Sequence, residues 1–225
     1  LAATEALVWR DVPGLAGNLA LVHRSAPLLS ATAAHLRRAW ARDEGHPLVR
    51  GMIASAIHDL ALHVGAIEDA RRWRQRAGCP AAATLVGPVG FPPLLALEEA
   101  PQVPVRGALP ATFPGQPPFA TDVEPETIYG DACSFDVEET SPLRGERALL
   151  VDVERKAEGE TFFAVSSASA AKLLAGGKLV VERPFAAGGA SVTVLGRAQL
   201  PEGRTRLLLR VADNQDGDRV ALQIW

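Results

Sequence analysis

The spacing of apolar residues changes its period once along this chain. Up to about residue 80 the period is near 3.6. Leu28, Leu29, Thr32, Leu36, Ala39 and Trp40 share one face of a helix predicted over residues 28–42. Ser25 and Pro27 suit its opening, and Gly45 and Pro47 its close. A second helix is predicted over 48–64, with Ile53, Ala56, Ile57, Leu60 and Val64 as its stripe, and Gly65 breaks it. A third covers 66–77 and stops before Gly78 and Pro80. Two shorter helices are expected earlier, over 4–8 and 16–23. Short turns between helices imply antiparallel neighbours.

From about Ser134 the period becomes two. Leu149, Val151 and Val153 alternate with Asp152 and Glu154. A run at 161–166 carries Phe162 and Phe163. Leu173 to Val181 reads as two strands joined at Gly176-Gly177. Val192 and Val194 mark a short strand. Leu207, Leu209 and Val211 alternate next, and Val220, Leu222 and Ile224 close the pattern after a polar turn. Short strands separated by frequent turn signals indicate an antiparallel sandwich or jelly roll.

The two patterns are separated by a stretch of different character. Eleven of the seventeen prolines fall between residues 80 and 125. Proline fixes φ and removes a donor, so regular structure is not expected through most of it. The predicted organisation is α+β in two segregated parts. Residues 1–80 form a helical region, 81–125 a proline-rich linker or strap, and 126–225 the β-sandwich. The strap has room for a first sandwich strand near 84–90. Limited proteolysis is expected to cut between about Pro80 and Pro125; resistance throughout that window would show the strap is packed onto a domain.

Charge and composition narrow the function classes. The net charge of −3 argues against a general nucleic-acid binder. Twenty arginines against three lysines are scattered rather than clustered, which fits coding bias better than phosphate binding. No apolar run reaches the length of a membrane span. Cys79 and Cys133 lie 54 residues apart with no CxxC partner. They read as two separate buried thiols, or as one disulfide if the compartment is oxidising. The chain opens at Leu1 and closes at Trp225 inside a predicted strand, as a piece of something longer would.

No catalytic constellation emerges. All five histidines lie in the helical third, and His58 and His63, five apart, occupy different helix faces. Glu98-Glu99 and Glu138-Glu139 sit in polar or proline-rich surroundings where nothing separates their pKa values. Asp213, Asp216 and Asp218 form the most site-like string. They fail the spacing of a calcium loop and read as a hairpin tip. No metal and no cofactor is therefore expected. Sugar-binding sandwiches use exposed rings for stacking, which makes Tyr129, Phe163 and Trp225 the candidate ligand-binding residues. Trp40 and Trp73 belong in the helical core.

Three strings carry a resemblance. Residues 171–182 (AKLLAGGKLVVE), 200–211 (LPEGRTRLLLRV) and 219–225 (RVALQIW) resemble a galactose-binding-like jelly roll of the PA14 and carbohydrate-binding-module type. Ala56, Leu60, Gly65, Ile67, Ala70 and Ala77 resemble a tetratricopeptide-type hairpin. TLVGPVGF at 84–91 is similar to the opening of such modules in large myxobacterial envelope proteins, which carry a transglutaminase-like region downstream. The resemblance implies a non-catalytic binding or scaffolding module of a larger bacterial protein. Its partners would be other proteins or the rest of its own polypeptide, with no nucleic acid. Two alternatives stand beside it: a carbohydrate-binding module with a glycan ligand, and an accessory region of a larger transglutaminase-like or peptidase enzyme. The expected location is the periplasm or cell envelope, with the cytoplasm as the alternative.

Overall fold

A computed structural model describes residues 26–42, 46–114, 121–130, 133–137, 145–185, 191–213 and 219–225. The two helices expected before residue 25 lie outside them. The chain divides into two compact units, one running to Gly78 and including Trp225, the other comprising Cys79–Ile224.

The helical unit contains α1 (Ala26–Arg42), α2 (Pro47–His63) and α3 (Ile67–Arg76). Pro47 opens α2, where its missing N–H costs nothing, and the His46 ring accepts from the Leu48 amide at 3.3 Å. Gly65, at φ 74°, makes the turn into α3. The charges of α3 suit its dipole, with Glu68 and Asp69 in the first turn and Arg74 and Arg76 in the last. The buried stripe of α2 is Leu48, Gly51, Ala54, Ile57, His58, Leu60 and Ala61. That is rotated from the stripe expected from the largest side chains, and Val64 is exposed. A Cβ on Gly51 would meet the Trp225 indole, so tertiary packing overrides the simple pattern. His58 Nδ1 lies 2.8 Å from the Ala70 carbonyl, which ties α2 to α3. Trp40 and Trp73 meet edge to face at 5.3 Å, with the Arg50 guanidinium over Trp40 and that of Arg76 over both rings.

The second unit is an antiparallel β-sandwich. Its strands are β1 (Ala82–Gly90), β2 (Glu126–Tyr129), β3 (Ser134–Asp136), β4 (Gly145–Arg155), β5 (Gly159–Ser167), β6 (Ala171–Ala175), β7 (Lys178–Arg183), β8 (Val192–Leu200), β9 (Gly203–Asp213) and β10 (Arg219–Ile224). A short helix, α4 (Pro93–Glu98), follows β1. One sheet has the order β2-β1-β4-β9-β6-β7 and the other β3-β10-β5-β8. The inward residues are those that alternation selects: Leu149 and Val151 on β4, Leu207, Leu209 and Val211 on β9, Val220 and Leu222 on β10. At the side where β8 meets β7, a Cβ on Gly196 would sit 2.5 Å from the Val180 carbonyl oxygen. Only glycine lets the two sheets close there.

The described residues of the proline-rich stretch form a packed strap. Val103, Val105, Leu109, Phe113 and Val123 cover the outer face of the six-stranded sheet against Val86, Val89, Ala148, Leu150 and Leu208. Phe113 and Val123 also exchange a pair of backbone hydrogen bonds at 2.8 and 2.9 Å. Arg210 fastens the start of the strap. Its guanidinium pairs with both Glu146 oxygens at 2.5 and 2.8 Å. It also donates to the carbonyls of Ala96, Leu97 and Glu99 at the end of α4, where helix carbonyls lack intrahelical partners, while the Ala96 carbonyl accepts from the Glu99 amide as well. Lys172 adds an ion pair to Glu98 at 2.8 Å. Cys79 and Cys133 form a disulfide, so the reading of two separate thiols is corrected. The bond closes the chain around β1, the strap and β2.

Candidate functional site

The β6–β7 hairpin turns through Gly176 and Gly177, at φ 56° and 91°. Positive φ at both central residues is the type I′ requirement, which glycine meets without strain. The turn brings Lys178 to the start of β7 and presents the Gly176 carbonyl toward the strap, where Arg106 donates to it at 3.3 Å. On the neighbouring strands, Asp152 of β4 stands opposite Arg206 of β9, and Glu154 opposite Arg204. These are the outward positions of two strands whose alternate residues fill the core.

Together these pieces wall a cleft of about 740 Å³, open to solvent. The strap supplies Val105 to Ala108 as one wall. The Gly176 turn and Lys178 form one end, and Gln199, Pro201, Arg204 and Thr205 the other. Arg206 spans the cleft from β9 to the strap, donating to the Gly107 carbonyl at 2.6 Å. Asp152 accepts from Arg204 and from Arg206, the latter at 3.2 Å. Partial burial would push the Asp152 carboxyl up, but the hydrogen bonds from Arg204 and Arg206 outweigh it and hold the group below its ordinary 3.8. The volume is within the range of sites for small molecules or short chain segments. Its walls offer carboxylate, amide, hydroxyl and guanidinium groups, and among the described residues no aromatic ring lines it.

The residues expected from sequence lie elsewhere. Tyr129 ends the edge strand β2, is 79% exposed, and does not line the cleft. Phe163 is wholly buried in the sandwich core, because Val165 and Thr161 share its inward face. It is therefore corrected as a stacking residue; its neighbour Phe162 occupies the outward register. Trp225 is half-buried and belongs to the helical unit. Asp213 ends β9, whereas Asp216 and Asp218 lie outside the described residues. Among the described residues no group of three or more His, Cys, Asp or Glu side chains gathers in a way that could hold a metal. No described helix is long and apolar enough to cross a membrane.

No family model and no curated protein matches the chain. Solved structures resemble it at low identity. A family 35 carbohydrate-binding module from Clostridium thermocellum is 15% identical, with a TM-score of 0.31, over 44% of this chain and 80% of that one. The PA14 sugar-binding domain of an RTX adhesin is 15% identical, with a TM-score of 0.26, over 35% of this chain and 44% of that one. A β-glucosidase from Kluyveromyces marxianus is 8% identical, with a TM-score of 0.36, over 44% of this chain and 14% of the enzyme. This chain thus spans a small part of that enzyme's length. At these scores the likenesses carry no functional argument, and the tetratricopeptide-type reading of the helices has no counterpart among them.

Proposed function

We propose that this chain is a non-catalytic binding module and that the strap-walled cleft holds a glycan. The observation that carries the reading is the chemistry of the cleft. Asp152, Gln199 and the arginines present planar pairs of hydrogen-bonding atoms, which match the adjacent hydroxyls of a sugar ring. Asp152 is fixed between two guanidiniums, so its orientation is set before a ligand arrives. Preorganisation of this kind lowers the cost of binding. The disulfide supports folding in an oxidising compartment, the periplasm or beyond it, where glycans are met.

Calorimetric titration against a panel of neutral and acidic oligosaccharides tests the proposal. Saturable heat with at least one glycan, weakened by Gln199→Ala, is the expected result. Silence across the panel would refute it.

A second reading, protein–protein contact, draws on the outer face of the four-stranded sheet. Leu195, 48% exposed, lies opposite Ala164 there, and Phe162 lies two residues along the same face. A small-residue floor edged by apolar side chains suits a protein surface. In that case binding partners would be lost on Leu195→Asp and kept on Gln199→Ala.

A further inference from the structure

We infer that the cleft selects a glycan bearing negatively charged groups, carboxylates above all, an inference that rests on the reading of the cleft as a glycan site. Among the described residues four cations line it, Arg106, Lys178, Arg204 and Arg206, against one lining carboxylate, Asp152. Glu154 adds a more distant negative charge beside Arg204, and an excess of positive charge remains. The chain as a whole carries a net charge of −3, so this excess is local and does not follow from composition.

The pairing of the cations sharpens the point. Arg204 and Arg206 share Asp152. Arg106 donates to a backbone carbonyl and has no carboxylate partner among the described residues. Lys178 likewise has no ion-pair partner among them. Both stand on the rim, exposed, at the end formed by the Gly176 turn. Other arginines of the sandwich are used differently: Arg210 is buried with Glu146, and Arg183 donates to the carbonyls of Ser167 and Pro184. Those two guanidiniums are buried among their partners, whereas Arg106 and Lys178 are exposed and meet no carboxylate among the described residues.

Neutral sugars are usually gripped by stacking on an aromatic face in addition to hydrogen bonds. Among the described residues no ring lines this cleft. Hydrogen bonds to hydroxyls alone compete poorly with water. A carboxylate, by contrast, gains a charge-assisted bond to each guanidinium it meets, in a two-pronged geometry that arginine fits. The cleft therefore favours a sugar acid over its neutral counterpart. A uronate chain would place a carboxylate on each ring, one near Arg204 and another near Arg106 and Lys178.

The test compares a tetrameric oligogalacturonate with its fully methyl-esterified form, by calorimetry on the full chain at low and high salt. Tight binding of the acid, weakened about tenfold or more by esterification and falling with salt, is the expected result. Lys178→Gln and Arg106→Gln should each weaken the acid by roughly two- to fivefold and the ester by less. Equal binding of acid and ester would overturn the inference while leaving the glycan reading standing. Failure of both would overturn the two together. Tetraglutamate binding as tightly as the oligouronate would also overturn it, by pointing to an acidic peptide. A sulfated oligosaccharide measured alongside separates a demand for carboxylate from a demand for charge. Stronger binding of the sulfate than of the uronate would contradict the carboxylate preference.

Discussion

Arg210 and Asp152 show how two similar ion pairs do different work. Arg210 and Glu146 are 3% and 2% exposed at their side chains, so each depends on the other for its solvation. Arg210→Met would strand a buried carboxylate and uncap α4, at a cost of about 3–5 kcal/mol. Urea denaturation of the single variant and of the Glu146→Leu, Arg210→Met double variant checks this. The double variant should recover the part due to the stranded charge, and simple additivity would contradict it. Asp152 instead sits at a solvent-facing cleft. Its folded carboxyl is held low, so the Arg204 and Arg206 pairs contribute stability at pH above the unfolded carboxyl value, about 3.9. That contribution is lost as pH falls through the lower folded value. Asp152→Asn should flatten the acid limb of stability measured between about pH 5 and about pH 2.5. An unchanged slope would mean the pairs do not form in solution. At this scale sequence was a partial guide. It marked Phe162 and Phe163 together as aromatics in a strand, and the choice between them turned on which register faced the core.

At the scale of elements, the alternating strands and the Gly176-Gly177 hairpin were readable because each is a local pattern. Strands β2 and β3 were not, being four and three residues long with little alternation to display. The strap was harder still. Val103, Val105, Leu109, Phe113 and Val123 follow no helix or strand period, so nothing in their spacing announces a packed layer. The signal lay in the sheet beneath. Ala148 to Val151 and Leu207 to Leu209 are continuous apolar runs, the mark of strands buried on both faces. A covering layer was therefore required, and the strap is the segment available to provide it. Phe113→Ala should destabilise the sandwich by about 3–5 kcal/mol and open the strap to trypsin at Arg106. Cleavage at Arg106 as fast in the parent chain as in the variant would show that the strap does not pack. The Cys79–Cys133 disulfide spans the same segment. Replacing both cysteines with serine should cost about 2–4 kcal/mol, read as a shift in the denaturation midpoint.

For the whole molecule, the division into a helical unit and an antiparallel sandwich was legible from the single change of hydrophobic period. The candidate site was not. Its charged groups come from the strap, the β6–β7 turn and strands β4 and β9, and they meet only because β9 lies between β4 and β6. Asp152 and Arg206 are 54 residues apart and become neighbours through strand register alone. In a linear reading the arginines were scattered, and the sheet order is what gathers four cations into one cleft. The most direct measurement of the central claim is an amide chemical-shift map of the labelled chain during titration with an oligouronate. The account expects perturbations confined to Asp152 and residues 105–108, 175–178 and 199–206, with the affinity read from their progress. Perturbations centred instead on the outer face of the four-stranded sheet, around Ala164, Leu195 and Arg197, or none at saturating ligand, would contradict it.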